Sequence, residues 1–452
     1  MQRQLARFAS AVLIILGCYT LSNLVNRSDT FLLLSIYSSL FVILWFWIRH
    51  YSSLGNIFLL GVLCRLVFFD HIPELSQDFY RFLWDGQLQQ LGINPYLHTP
   101  NQLINIVGFP DSNLLYEKMG SLSNGNFSNY PPASQYLFKL AALFHQESIM
   151  DGILTIRIIY FLGDIALFFV GCQLLKTLSF EPNQIAWYFL NPLVIIEGIG
   201  NLHGESLMFC FTLIGLTYLI QKRSFLGGIF MGIAIAIKLI PLLLIPVFFK
   251  YLGFKRFIYC CCSILLVSLL FWVPFWEGDM VEHYNETVRL WFTTFEFNGS
   301  IYNIIRAVGY KVKGYNIIRK LGEVTPFIIV GFIFIISFLR SNRTTVSLLK
   351  SMLLLLSVYF FIATTVHPWY IINLIFLGIL SGYVYPLVWS LVVFWSYSAY
   401  GTEVFEEQTV IQITAYSMVY GIFLWELIKG PLGEHFQKPH FFNTELSPGT
   451  SR

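Results

Sequence analysis

Apolar runs near the length of a membrane span recur along the chain. They lie at about 10–26, 30–48, 54–69, 153–178, 183–199, 204–220, 225–250, 257–276, 325–340, 346–365, 369–398 and 410–428. A helix needs roughly 20 apolar residues to cross a bilayer, so this pattern predicts successive transmembrane helices. Alternating ten-residue strands are absent from the sequence, which argues against an outer-membrane barrel. Two runs predict a break: 225–250 carries Lys238 near its middle with Pro241 after it, and 369–398 contains Ser381, Gly382 and Pro386. The fold class expected is all-α, a polytopic membrane protein of about 12–14 transmembrane helices. The longest polar stretch, 70–152, interrupts the pattern.

Composition supports the reading. Charged residues make up 12% of the chain, hydrophobic residues 56%, and mean hydropathy is +0.65. A soluble domain carries roughly 25% charged residues. The net charge of +3, with no basic arm or strip, gives no reason to expect a nucleic-acid partner. Cys18, Cys64, Cys172, Cys210, Cys260, Cys261 and Cys262 all fall in or beside apolar runs and read as small apolar filler. Arg3 and Arg7 precede the first run without a small-residue cleavage site, so an uncleaved first span is expected.

Charge bias sets the orientation. Arg3 and Arg7 place the N-terminus in the cytoplasm and make 70–152 an extracytoplasmic loop. If the chain turns back near Lys238 and again within 369–398, Lys250, Lys255, Arg256 and Lys429 are cytoplasmic and Glu403, Glu406 and Glu407 are outside. This gives about fourteen passes, the halves around Lys238 being short enough for a broken helix pair. Asp78, Asp85, Asn201, His203, Glu205, Lys238 and His367 then collect on one face without having been placed by function. No repeat divides the chain. One membrane domain over 1–430, with the 70–152 loop, and a polar cytoplasmic tail at 431–452 are expected.

Within the loop, Phe79, Phe82, Leu83, Leu88 and Leu91 share a helical face, and Asp78, Arg81, Asp85 and Gln89 share another. A helix lying along the membrane surface is predicted, with Asp78 at its start and Gly92 at its end. Asn94-Pro95-Tyr96 predicts a turn, Ser121 to Asn129 a mobile stretch, and Pro132 the start of a second helix. Asp78 is a helix cap or a functional acid. Asp85 can pair with Arg81 one turn earlier, and Arg81 is an interfacial anchor or a phosphate ligand. Trp84, Tyr130 and Trp369 are sugar-stacking candidates or members of an interfacial belt.

The segments D-F-Y-R-F-L-W-D-G from Asp78, L-G-I-N-P-Y from Leu91 and Y-P-P-A-S-Q-Y-L-F from Tyr130 resemble the first luminal loop of GT-C glycosyltransferases. The likeness is nearest to bacterial polyprenyl-phosphate-mannose-dependent mannosyltransferases and the first GPI mannosyltransferase. N-P-L-V-I-I-E from Asn191, N-L-H-G-E-S-L from Asn201, A-I-K-L-I-P-L from Ala236 and H-P-W-Y from His367 follow in order.

The resemblance implies a polyprenyl-phosphate sugar as donor, a glycan or glycolipid acceptor, membrane lipids as surroundings, and inversion at the anomeric carbon. It places the essential acid on Asp78. Gln77-Asp78-Phe79-Tyr80 is not a strict D-x-D, so metal dependence stays open; no cofactor is expected. The remaining substrate-binding candidates are Arg81, Asp85, Tyr130, His203, Glu205, Lys238, His367, Trp369 and Tyr370. Lys238 is a phosphate ligand, a partner of Glu197 or a snorkelling side chain. Arg289, Arg306 and Lys311 are weaker candidates for phosphate or lipid headgroups. The expected function is an integral-membrane hexosyltransferase, most simply a mannosyltransferase, in a plasma or inner membrane. A transporter or lipid flippase suits the break at Lys238, and a structural subunit leaves the polar cluster without a purpose.

Overall fold

The computed structural model describes residues 2–51, 53–145, 148–402 and 404–433. Glu403 and most of the expected tail, 434–452, lie outside the described residues.

The described residues are overwhelmingly helical; the nearest thing to a sheet is an isolated parallel bridge between Phe297 and Thr365. Among the described residues, seven helices are long and apolar enough to span a bilayer: Gln4–Asn23, Thr30–Tyr51, Ile149–Thr177, Phe254–Phe275, Ile318–Leu339, Thr345–Ile362 and Thr409–Lys429. Two further pieces, Pro192–Gly200 and Glu205–Ile220, together form a broken span or a re-entrant loop, bent by 112° between them. Leu54–Leu66, Ser224–Ile237, Ile240–Leu252 and Pro368–Ser381 are shorter apolar helices. The all-α polytopic architecture expected from the hydropathy pattern is thus present.

Close approach and sealed charge hold the bundle together. A Cβ at Gly228 would collide with Ser263 and the Cys260 carbonyl, so glycine lets Ser224–Ile237 lie against Phe254–Trp272. Small residues serve this purpose where apolar burial gives no drive between helices. Arg65 and Asp164 pair at 2.7 Å with both side chains fully buried. Arg65 also donates to the carbonyls of Gly61 and Phe189, at 2.9 and 2.8 Å. Either charge alone at this depth would be strongly destabilising.

The break between the two pieces of the bent span is built. Ile196–Gly200 is a π-helical turn, which leaves carbonyls without helical donors. Buried Arg157 fills that need, donating to Ile199 and Gly200 at 3.0 and 3.2 Å and to Phe69 at 3.2 Å. The 225–250 run also breaks where expected. Its first helix ends at Ile237, and Lys238 is extended, with φ −149° and ψ 143°.

The loop helix Asp78–Gln90 differs from its prediction in one respect. Its polar face is covered rather than wet: Arg81, Asp85, Gln87 and Gln89 are all buried. Gly86 allows the backbone of this helix to touch that of Pro132–Phe144, since a Cβ there would strike the Phe138 carbonyl. The stretch expected to be mobile, 121–129, is tied down, because Arg81 Nη1 donates to the carbonyls of Ser123 and of Asn126, the latter at 3.0 Å.

Candidate active site

Asp78 opens the loop helix as a first-turn acid, with its backbone N–H donating to Ser76 Oγ at 3.3 Å. Its carboxylate is 36% exposed and stands 3.7 Å from His203 Nε2. That is ion-pair distance, longer than a hydrogen bond. His203 sits in the break of the bent span. Its Nδ1 faces Glu197 Oε2 at 3.2 Å. Buried Glu197 also accepts from Asn201 Nδ2 at 3.1 Å and from the Tyr397 hydroxyl at 2.8 Å. The π turn aims Glu197 at the break, and Glu197 fixes the imidazole that meets Asp78.

Three further elements close around this pair. The His203 ring stacks on Trp369 with centroids 3.6 Å apart, and His367 stacks on the same indole at 4.2 Å. Pro368, first residue of a 3₁₀ turn, fixes the backbone that carries these rings. Tyr370 meets His367 edge-on at 5.4 Å. Lys238, re-aimed by its extended backbone, pairs with Glu205 at the start of Glu205–Ile220. Ser134 Oγ, 2.8 Å from the Ile237 carbonyl, anchors that turn to the loop.

The polar groups bias one another. Burial raises the Asp78 carboxyl, but His203 beside it and the positive charge of Lys238 more than offset this and hold it below the ordinary aspartate value. Burial pushes the His367 imidazole down to about 3 against the pull of Asp78, so it is neutral at physiological pH. The cluster therefore offers an ionised carboxylate with partial access, a cation 21% exposed, and an indole between two imidazoles. Among the described residues no three His, Cys, Asp or Glu side chains are grouped closely enough to hold a metal ion.

The structure thus brings together Asp78, His203, Glu205, Lys238, His367, Trp369 and Tyr370. Tyr130 stands at the edge, its ring against Phe82 and Phe138 and its carbonyl accepting from Tyr96 at 2.6 Å. Arg81 and Asp85 face elsewhere. They pair at 2.6 Å, and Asp85 also accepts from Ser128 at 2.6 Å and Gln135 at 2.9 Å. The pairing read from their spacing is what forms, and these bonds hold the loop together.

Three expectations are corrected. The partner of Lys238 is Glu205, not Glu197, which is already taken by Asn201, Tyr397 and His203. Trp84 is fully buried against Phe109 and Tyr116, out of reach of a sugar. Arg306 is occupied by Glu296 at 2.9 Å and Glu407 at 3.5 Å, and exposed Arg289 approaches Glu323 at 3.9 Å. Sequence reasoning missed Tyr397 and the role of Glu197 as the anchor of His203. Both lie in apolar runs where only an isolated polar atom gives a signal.

Fold and cluster together define a polytopic helical membrane protein with an acid-centred polar site where a broken span meets a covered loop. Residues 9–252, more than half of the chain, match the family described as alpha-(1->6)-mannopyranosyltransferase, N-terminal domain. The chain belongs to that family, which bears out the resemblance to bacterial mannosyltransferases.

Among curated proteins, it is similar to alpha-(1->6)-mannopyranosyltransferase A of Mycobacterium tuberculosis, 28% identical over 168 residues, covering 37% of this chain and 31% of that protein. It is also similar to alpha-(1->6)-mannopyranosyltransferase B of Corynebacterium glutamicum, 28% identical over 146 residues, 32% of this chain and 23% of that protein. The A protein of Corynebacterium glutamicum is 23% identical over 186 residues, 41% of this chain and 36% of that protein. The matched stretches therefore span between 23% and 36% of these relatives.

Proposed function

We propose that the protein is an integral-membrane mannosyltransferase that moves mannose from a polyprenyl-phosphate donor to a glycan or lipid-linked acceptor at the extracytoplasmic face, with inversion. One observation carries the reading. In a chain of this family, the partly open Asp78 carboxylate stands against His203 where the loop, the broken span and the His367–Tyr370 segment meet.

Asp78 is the base. As the acceptor oxygen bonds to the anomeric carbon, its proton passes to the Asp78 carboxylate. The bond from that carbon to the phosphate oxygen breaks, and its electron pair leaves with the polyprenyl phosphate. A positioned carboxylate contributes about 10²–10⁴-fold to such a step. His203, fixed by Glu197, keeps the carboxylate oriented and ionised. Lys238 stands where charge grows on the leaving phosphate, with Glu205 holding its ammonium in place. Trp369, buried and stacked by both His203 and His367, holds the two imidazoles in place, and neutral His367 and Tyr370 offer polar edges to the sugar hydroxyls.

The bent span and the Lys238 break would equally suit a carrier. The test separates the two. Purified protein in liposomes is given polyprenyl-phosphate [¹⁴C]mannose and a mannolipid acceptor. The expected result is label covalently joined to the acceptor and released polyprenyl phosphate. Label that changes sides of the bilayer while still on its carrier would replace this reading with transport. Transfer from GDP-mannose alone would reject the lipid donor.

A further inference from the structure

Lys238 is not a free cation. Its charge is matched by Glu205, whose second carboxylate oxygen is buried without a hydrogen bond. Three carboxylates, Asp78, Glu197 and Glu205, surround one lysine and the His203 imidazole. Taken alone this cluster is short of positive charge and would repel a lipid phosphate at close range.

Arg27 offers the missing charge. It lies between the helices Gln2–Asn23 and Thr30–Tyr51, in a short loop that the charge bias assigns to the outer face. Its guanidinium carbon lies over the Tyr400 ring, 3.2 Å from the centroid, and 5.9 Å from that of Tyr397. Tyr397 is the residue that donates to Glu197. In the other direction Tyr400 packs on Phe297 at 6.1 Å, and Phe297 stacks on His367 at 5.0 Å. Arg27 is therefore one ring from Glu197 through Tyr397 and two rings from His367 through Tyr400 and Phe297. Its charge is felt at His367 alongside that of Lys238.

Among the described residues no carboxylate lies within ion-pair distance of Arg27, and its Nε is buried without a hydrogen bond. The fully buried arginines are engaged: Arg65 by Asp164, Arg81 by Asp85, and Arg157 by three carbonyls. The planar guanidinium fork, held in place over a ring, suits two-point contact with a phosphate. A partly buried guanidinium with no carboxylate partner and an unsatisfied Nε costs stability, and a phosphate ligand would offset that cost.

We propose that Arg27 is a second phosphate-binding cation of the site, gripping the phosphate of the polyprenyl donor and of the departing polyprenyl phosphate together with Lys238. This rests on the lipid-donor reading above. Arg27 acts by electrostatic and bidentate contact and takes no proton.

The test is equilibrium binding to the full chain in phosphatidylcholine nanodiscs, with two probes, polyprenyl phosphate and the uncharged polyprenol. Wild type should prefer the phosphate. Arg27→Gln should weaken polyprenyl phosphate by about tenfold or more, the loss of a charge-assisted contact, and leave polyprenol unchanged. Arg27→Lys, which keeps charge and loses the fork, should fall between the two. If Arg27→Gln does not purify as a folded protein, the Lys variant carries the test, and wild-type affinity in it would overturn the proposal.

Unchanged phosphate affinity in Arg27→Gln, with wild type still preferring phosphate, sinks the Arg27 assignment and leaves the donor reading standing. Equal weakening of both probes makes Arg27 a mere brace for Tyr400 and also overturns it. Displacement of polyprenyl phosphate by equimolar phosphatidylglycerol would make the position a general headgroup contact, against the proposal. A wild type indifferent between the two probes removes the donor reading itself.

Discussion

Asp78 and Asp85 lie two turns apart on one helix, yet they are opposite kinds of carboxylate. Asp85 is fully buried and saturated, holding Arg81, Ser128 and Gln135 within 2.9 Å. Asp78 is 36% exposed, and its nearest cation is a histidine at 3.7 Å. A carboxylate whose lone pairs are spent on donors stabilises structure and has no capacity left for a proton in flight. One held ionised by charges nearby, and not by saturated hydrogen bonds, is available for chemistry. Arginines repeat the contrast: Arg65 is sealed against Asp164, whereas Arg27 rests on a ring with its Nε unpartnered.

The largest effect that this contrast predicts is on folding. Asp85→Ala leaves Arg81 buried without its partner and frees Ser128 and Gln135, and should cost about 3–5 kcal/mol. Thermal melting in detergent should show it as a clear fall, and a wild-type melt would erase the distinction between the two acids. Next comes His203→Ala, which removes the imidazole facing Asp78. It should lower kcat by about 10–100-fold, the loss of a nearby group that orients the carboxylate and keeps it ionised, while KM for the acceptor holds. A change confined to KM would move His203 from the base to the acceptor.

Tyr397→Phe removes only the hydroxyl that anchors Glu197 and should cost about 2–10-fold in kcat, read in the same assay. Activity equal to wild type would show that Glu197 needs no such anchor. The smallest effect concerns pH. Asp78 lies below the ordinary aspartate value of 3.8, so it stays ionised as pH falls and is lost as a base only in that acid region. His367, at about 3, is already neutral and stays so. Transfer should therefore show no acid limb from either group between about pH 7 and about pH 5. A limb near the ordinary histidine value of 6.5, shifted by His367→Gln, would contradict this.

Local chemistry was legible in the sequence, and long-range pairing was not. The start of the loop helix at Asp78, its end near Gly92, the helix from Pro132 and the break at Lys238 all follow from neighbouring residues. So does the Arg81–Asp85 pair, which one helical turn brings together. Periodicity gave the wrong surroundings for the loop helix, because it marks a polar face without saying what covers it. Here that cover is the 120–130 segment and the helix Pro132–Phe144. The Glu205 partner of Lys238, the Tyr397 anchor of Glu197 and the place of Arg27 over Tyr400 join residues far apart in the chain. In runs that read only as apolar spans, nothing local distinguishes Tyr397 or Tyr400 from an interfacial belt.

The account stands on Asp78 as a base that does not bind the donor. The direct measurement is donor affinity and single-turnover transfer in Asp78→Asn, with polyprenyl-phosphate mannose as donor and a mannolipid acceptor. The prediction is a donor Kd close to wild type, an unchanged melt, and a transfer rate lower by about 10²–10⁴-fold. Transfer at the wild-type rate, or a rate loss explained wholly by lost donor binding, would contradict it.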